Sequence, residues 1–486
     1  MKAAATLAPH AATDLSDDVL YLSVRELGAE IRARRLRPTQ LAAAYLARLE
    51  RLGPQLNAVV TVTRERAMRE AETAEREIAA GRYRGPLHGV PYGVKDLLAT
   101  RDYPTTWGAA PYREQRFDYD ATVVQRLGEA GAVLVAKLAM VERAGGMGYN
   151  QANASFTGPG RTPWNTEYWS GGSSSGPGAA VGAALVPFAI GSETSGSIMF
   201  PSAACGVSGL RPTYGRVSRH GAMALSWTMD KLGPMCRTAD DCGLVLDAIA
   251  GPDPLDHLAD SRSFRYDAPA RITTKPVIGV LLNATAGVQP EVARNFEASL
   301  EVLRQFATLV PGVELPNLPY GAVASTLIDA ECASAFEELL STGRVQELTA
   351  PEDRWGGFAG TAIFAQDYIK ALRLRGVMSA QLDAVMAKYT CLVSPTIGTV
   401  SYPIGKPFAQ AWPRVELPAG TRTMPLGSAA NVVGLPGVGV PNGFGREGLP
   451  TSVLFTGRAF GESAILAVAA ELQRRTSWHR KRPPLA

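Results

Sequence analysis

Residues 170–206 read SGGSSSGPGAAVGAALVPFAIGSETSGSIMFPSAACG, two serine- and glycine-rich turns enclosing one helical run and one apolar, strand-like run. Glycine tolerates positive φ and lets a ligand approach the backbone closely, so both turns can present hydroxyls and amides at one place. The segment has no GxxxxGK[ST] lysine and no GxGxxG spacing, which excludes the common phosphate loops, and it lacks the GxSxG elbow of the α/β-hydrolases. It is too short and too embedded in apolar sequence to be a linker. On composition alone it remains either a flexible structural loop or a catalytic one.

Outward from it, short β-rich runs alternate with helical stretches. Ala132–Leu138, Leu185–Ile190, Val277–Leu282, Leu392–Val393 and Ser452–Phe455 are candidate buried strands. The alternation predicts an α/β fold with a mixed, mostly parallel central sheet flanked by helices on both faces. Towards the N-terminus, Leu22–Arg51 has apolar residues at helical spacing, opens with the capping box Ser23-x-x-Glu26 and is broken at Pro38, which predicts two helices. A charged third helix spans about Thr63–Ala80 and stops at Gly81. Between Pro252 and Tyr389 the pattern is mainly helical, clearest over Val292–Phe306 and Gln366–Met386. The expected organisation is N-terminal helices (1–83), a core (84–255), a mainly helical insertion or lid (256–390) and a C-terminal completion of the core (391–486).

The chain of 486 residues, 46% hydrophobic and 19% charged, can bury a large core. Forty-nine basic and forty-five acidic residues leave +4, and the only tight basic cluster, Arg474–Arg482, reads as a solvated helix end, so no nucleic-acid partner is expected. The five cysteines (Cys205, Cys236, Cys242, Cys332, Cys391) are odd in number with no CxxC pair, and read as reduced core thiols. The five histidines (His10, His88, His220, His257, His479) are scattered, which argues against a zinc site or a serine–histidine enzyme; no metal or cofactor is expected. The N-terminal MKAAATLAPHAATDLSDD has no apolar core of signal-peptide length, and no run reaches ~18 apolar residues, so a cytoplasmic protein without membrane contact is expected.

Three stretches, GVPYGVKD (89–96), GGSSSGPG through GRVS (171–218) and DKLGPMCRTADD (230–241), resemble the amidase signature family in order and spacing. The likeness runs from SVRELGAEI (23–31) through DATVVQRLGEAGAVLVAKLAMVE (120–142) to TSWHRKRP (476–483), weakening mainly across the expected lid. The resemblance implies Ser197 as nucleophile, Ser173 as proton relay held by a cis peptide bond, and Lys95 as base. It also implies an oxyanion hole made of backbone groups of Thr194, Ser195, Gly196 and Ser197. The chemistry fits these residue types. A serine hydroxyl needs a base to take its proton, and without a histidine that base must be a lysine kept neutral by desolvation or a local positive field.

Alternatives stay open at several positions. Ser174 and Ser175 compete with Ser173 for the relay, though register favours Ser173. Ser195 stands where the family commonly has glycine; Ser192, Thr194 and His88 read as structural. The family often has aspartate at the position of Glu193 and arginine at that of Met199; with Met199 one partner of that buried pair is gone, so Glu193 must find backbone amides or Arg211, or titrate upward. Met147, Gly148, Tyr149 and Trp227, with Trp169, are candidate substrate-binding residues, each also readable as core.

The implied function is an amidohydrolase cleaving a small-molecule amide, aryl amide or carbamate through an acyl-enzyme. The alternatives are the A subunit of a glutamine-dependent aminoacyl-tRNA amidotransferase, or a non-catalytic scaffold on the same fold. A homodimer is compatible with either enzyme reading.

Overall fold

The computed structural model describes residues 15–266 and 271–485. The N-terminal stretch from which the lack of a signal peptide is read, His10 included, lies for its first fourteen residues outside the described residues. No helix among the described residues is long and apolar enough to cross a membrane.

Among the described residues eleven strands form one sheet: β1 (Val59–Val62), β2 (Pro91–Lys95), β3 (Val133–Leu138), β4 (Phe188–Glu193), β5 (Ser208–Arg211), β6 (Lys231–Cys236), β7 (Val277–Leu281), β8 (Thr308–Val313), β9 (Cys391–Pro395), β10 (Gly437–Phe444) and β11 (Pro450–Thr456). Their spatial order is β1-β3-β2-β4-β6-β5-β10-β11-β9-β7-β8. The mixed, helix-flanked sheet follows the sequence pattern, but the share of parallel pairing is smaller than the strand–helix alternation suggests. Parallel pairs gather in two triplets, β3-β2-β4 and β9-β7-β8. β6, β5, β10 and β11 join the triplets by antiparallel pairs. The reason is local: β10 and β11 are joined by a short hairpin loop, and a parallel pair would need a crossover of a dozen residues or more.

Both faces are covered, and the side-chain period of two shows it. Val133 and Val135 of β3 join one apolar cluster and Leu134 the other; on β4, Ala189 joins the first while Phe188 and Ile190 join the second. Helices Pro38–Leu56 and Arg64–Ala79 pack at the β1/β3 edge, and Ala239–Ile249 and Glu462–Arg475 cover the centre. The predicted capping box is formed: the Ser23 side chain accepts from the Glu26 amide, and Glu26 accepts from the Ser23 amide. Pro38 opens the second helix at its first turn, where its missing N–H costs nothing. The stretch expected to be mainly helical carries helices Pro290–Arg304, Tyr320–Ala335 and Ala365–Met386, and also contributes β7 and β8 to the edge of the sheet.

Candidate active site

Parallel strands open their carboxyl ends to the same side, and ligands of open α/β sheets bind there. The β3-β2-β4 triplet uses that geometry. Lys95 is the last residue of β2, and β4 ends at Glu193 immediately before the turn Thr194–Ser197. The other serine-rich turn enters helix Ser175–Gly182, and its Gly172–Ser173 peptide is cis. The two glycine turns of the 170–206 stretch thus converge on the end of β2.

Lys95 is fully buried, and its Nζ donates to Ser173 Oγ at 2.7 Å and to Ser192 Oγ at 2.8 Å. Burial pulls the amine down to about 7, against the opposing pull of the Asp230 and Glu193 carboxylates. Within the serine triplet the partners differ. Ser173 meets Lys95, the Ser174 hydroxyl exchanges hydrogen bonds with the Ser192 backbone, and the Ser175 hydroxyl points to the Ala139 carbonyl at 3.4 Å. The Ser174 amide also donates to the Ser197 carbonyl at 3.2 Å, tying the two turns together. Ser197, 9% exposed, has no side-chain hydrogen bond among the described residues, and Ser195 beside it is exposed.

Beneath the turn Thr194–Ser197 lies a buried charge network. Glu193 Oε2 accepts from the amides of Ile198 (2.8 Å) and Met199 (2.9 Å), while Oε1 accepts from Arg211 at 2.8 Å. Burial alone would raise this carboxyl, but Arg211, Lys231 and the Met199 amide outweigh it and hold it at about 2. Of the options open to Glu193 without an arginine at 199, it therefore uses the amides and Arg211 and does not titrate upward. The result is a clamp on the start of helix Met199–Cys205, its first amide, that of Ile198, one residue beyond Ser197. Alongside, Thr194 Oγ1 donates to Asp230 at 2.5 Å and Lys231 Nζ donates to the Thr194 carbonyl at 3.2 Å. Burial depresses the Lys231 amine, with Arg211 adding to the effect.

A cavity opens beside Ser192 and Thr194, walled by Leu97, Ala144, Met223, Leu225 and Leu232, with Arg219, Trp227 and Asp230 at its polar side. Trp227, 58% exposed, is pinned at the rim: Arg219 lies 5.0 Å over its ring and donates to its carbonyl at 2.5 Å. The other substrate candidates lie elsewhere. Met147 is buried under helix Asp353–Gly360, where glycines allow contact so close that a Cβ at Gly356 would collide with the Met147 carbonyl. Tyr149 and Trp169 stack edge to face at 6.0 Å within an aromatic group with Phe408, and Gly148 is exposed beside them. His88 is buried ahead of the first residue of β2, its Nδ1 accepting from the Arg84 amide at 3.1 Å. Sequence reasoning did not single out Ser192 as a lysine partner, nor Arg219, Met223 and Leu225 as lining. For Arg219, Met223 and Leu225 the only signal is the stretch SRHGAMALSWTMD (218–230), which runs into the third motif.

Comparison with known proteins gives a family for this arrangement. The family model described as Amidase matches residues 40–466. The chain is 35% identical to the A subunit of the glutamyl-tRNA(Gln) amidotransferase of Moorella thermoacetica, over 96% of this chain and 99% of that one. Among solved structures it is similar to the native peptide amidase of Stenotrophomonas maltophilia, with 31% identity, a TM-score of 0.78 and coverage of 98% and 99% of the two chains. A chain from a vestigial protein complex tied to the origins of an s-triazine catabolic enzyme aligns with a TM-score of 0.83 and 29% identity, over 93% of this chain and 98% of that one. The chain belongs to the amidase signature family.

Proposed function

We propose that this member of the family hydrolyses the C–N bond of a small amide, aryl amide or carbamate through an acyl-enzyme on Ser197. The observation that carries the reading is a fully buried lysine, held near neutrality at about 7, in hydrogen-bond contact with Ser173. A neutral amine has one lone pair and two N–H groups. With Ser192 taking one N–H, the lone pair can face Ser173.

Ser197 Oγ attacks the carbonyl carbon as its proton passes to Ser173 Oγ, while the Ser173 proton passes to Lys95 Nζ. The C–O bond forms and the carbonyl electron pair moves onto oxygen. The amides of Ser195, Gly196 and Ser197 donate to no group among the described residues, which supports their role as oxyanion donors. Collapse breaks the C–N bond, the amine leaving with the proton returned from Lys95 through Ser173. Water then repeats the sequence on the ester and releases the acid. The Glu193 clamp fixes the turn that carries both nucleophile and donors.

A second reading has its own support: the curated relatives include several glutamyl-tRNA(Gln) amidotransferase A subunits. In that reading glutamine is the amide, and ammonia passes to a partner protein. The apolar cavity walls and the exposed Trp227 favour a substrate with an apolar or aryl group over free glutamine. Steady-state kinetics separates the two. The hydrolase reading expects kcat/KM for an anilide or aryl carbamate to exceed that for glutamine by at least ~100-fold, about 2.7 kcal/mol of differential transition-state binding. Equal or reversed values put the amidotransferase reading first.

A further inference from the structure

The backbone around Trp227 is fastened from three sides. On one side its carbonyl accepts from Tyr214 Oη at 2.9 Å and from Arg219 at 2.5 Å. The Tyr214 ring is itself wedged between guanidinium groups, Arg219 at 4.9 Å from its centroid and Arg375, on helix Ala365–Met386, at 5.5 Å. From beneath, Asp230 accepts from the amides of Leu225 (2.8 Å) and Ser226 (2.9 Å). The third side is Glu331, on helix Tyr320–Ala335, whose Oε2 accepts from Ser226 Oγ at 2.6 Å and from the Thr228 amide at 3.0 Å. One carboxylate oxygen thus holds both neighbours of Trp227.

The other oxygen of Glu331 accepts from Tyr368 Oη at 2.7 Å, on helix Ala365–Met386, so two helices of the 256–390 stretch meet at this carboxylate. Glu331 is buried, and its three donors replace the water it loses. What this framework leaves open is the indole, 58% exposed and part of the cavity lining. A large aromatic ring on a backbone so restrained has little freedom left to lose when it meets a ligand, which is the advantage of a preorganised contact.

We infer that Glu331 is a specificity-positioning residue: by clamping both neighbours of Trp227 to helix Tyr320–Ala335, it presents the indole at the rim of the cavity as a fixed wall for the apolar or aryl part of the substrate. The substrate class rests on the hydrolytic reading above; the clamp on Trp227 does not. Glu331 acts through the indole and touches no reacting atom, so its loss is felt in the choice between substrates. The helices that carry Glu331 and Tyr368 then take part in recognition, although neither residue lines the cavity.

The test uses the intact protein with 4-phenylbutyramide and butyramide, which share an acyl chain and differ in the aryl group. Glu331→Ala should lower the aryl-to-aliphatic ratio of kcat/KM at least about threefold, mainly through KM, the scale of a weakened aromatic contact. Glu331→Gln should keep most of the ratio, because its amide oxygen can accept from Ser226 and Thr228 while its NH2 donates to Tyr368 Oη. In a Trp227→Ala background, Glu331→Ala should change the ratio no further. A ratio unchanged by Glu331→Ala, or the same fall without the indole, overturns the proposal. Where Glu331→Ala does not fold, Ser226→Ala removes one donor and no charge; it should give a smaller fall in the ratio, again absent without the indole, and no fall overturns the proposal. Calorimetric titration of 4-phenylbutyramide into Ser197→Ala, with and without Glu331→Ala, tests the clamp apart from turnover. Binding weakened about threefold by the second substitution supports it even if no amide is hydrolysed by wild type, an outcome that would sink the hydrolytic reading alone; equal binding, or none, overturns it.

Discussion

The floor of the site and its rim are built on opposite principles. On the floor every charged group is buried and engaged: Lys95 by two hydroxyls, Glu193 by two amides and Arg211, Asp230 by Thr194 and two backbone amides. At the rim the backbone around Trp227 is clamped, but the indole itself is mostly exposed. A buried network in which each charged group is held by at least one partner is rigid, which suits groups that must meet a transition state within a fraction of an ångström. An open rim suits selection among ground states. Substitutions on the floor should therefore change turnover for every substrate, and those at the rim should change preference between substrates.

Four outcomes sharpen or break that division. Ser197→Ala should lower kcat at least ~10³-fold on any amide while leaving the unfolding transition in place, because it removes only the proposed covalent nucleophile. Turnover within tenfold of wild type in a preparation free of contaminating amidase would refute the assignment. Glu193→Ala strands Arg211 without its carboxylate and should cost about 3–5 kcal/mol in denaturant unfolding, the usual penalty for breaking a buried pair. A loss under about 1 kcal/mol would mean that the clamp is dispensable. The third outcome is the pH profile. Only the neutral Lys95 amine accepts a proton, and its value lies near 7, so kcat/KM should fall about tenfold per pH unit below that point and level off above it. A rise that continues to pH 10 would mean an ordinary, solvated lysine. The smallest effect is expected from Trp227→Ala: about 0.5–1.5 kcal/mol lost in kcat/KM for an aryl amide, with little change for a short aliphatic one. Equal losses on both would move Trp227 from the rim to the floor.

Much of the fold is legible because periodicity and caps are local. The capping box at Ser23, the break at Pro38 and the stop at Gly81 each act within a few residues. Strands β6 and β10 are harder to see, since KLGPMC and GVGVPNGF contain the residues that normally mark turns. The structure explains the glycines by close approach: a Cβ at Gly233 would collide with the Leu210 carbonyl on the neighbouring strand, so the sheet tolerates nothing larger. The site divides in the same way. Lys95, Ser173 and Ser197 stand in motifs that can be recognised along the chain. Arg219 and Arg375, though 156 positions apart by their numbers, meet only through the ring of Tyr214, a pairing that no local pattern announces. Glu193 lies between these cases: the missing arginine at 199 signals that it needs a new partner, and folding decides that Arg211 and two amides supply it.

The most direct test of the account is peptide mapping by mass spectrometry after reaction with a fluorophosphonate, with the labelling rate followed from pH 5 to 10. Phosphonylation should fall on Ser197 alone, at a rate that rises with pH and levels off with a midpoint near 7, set by Lys95. Label on Ser173, Ser174 or Ser195, or a rate that Lys95→Ala leaves unchanged, would contradict it.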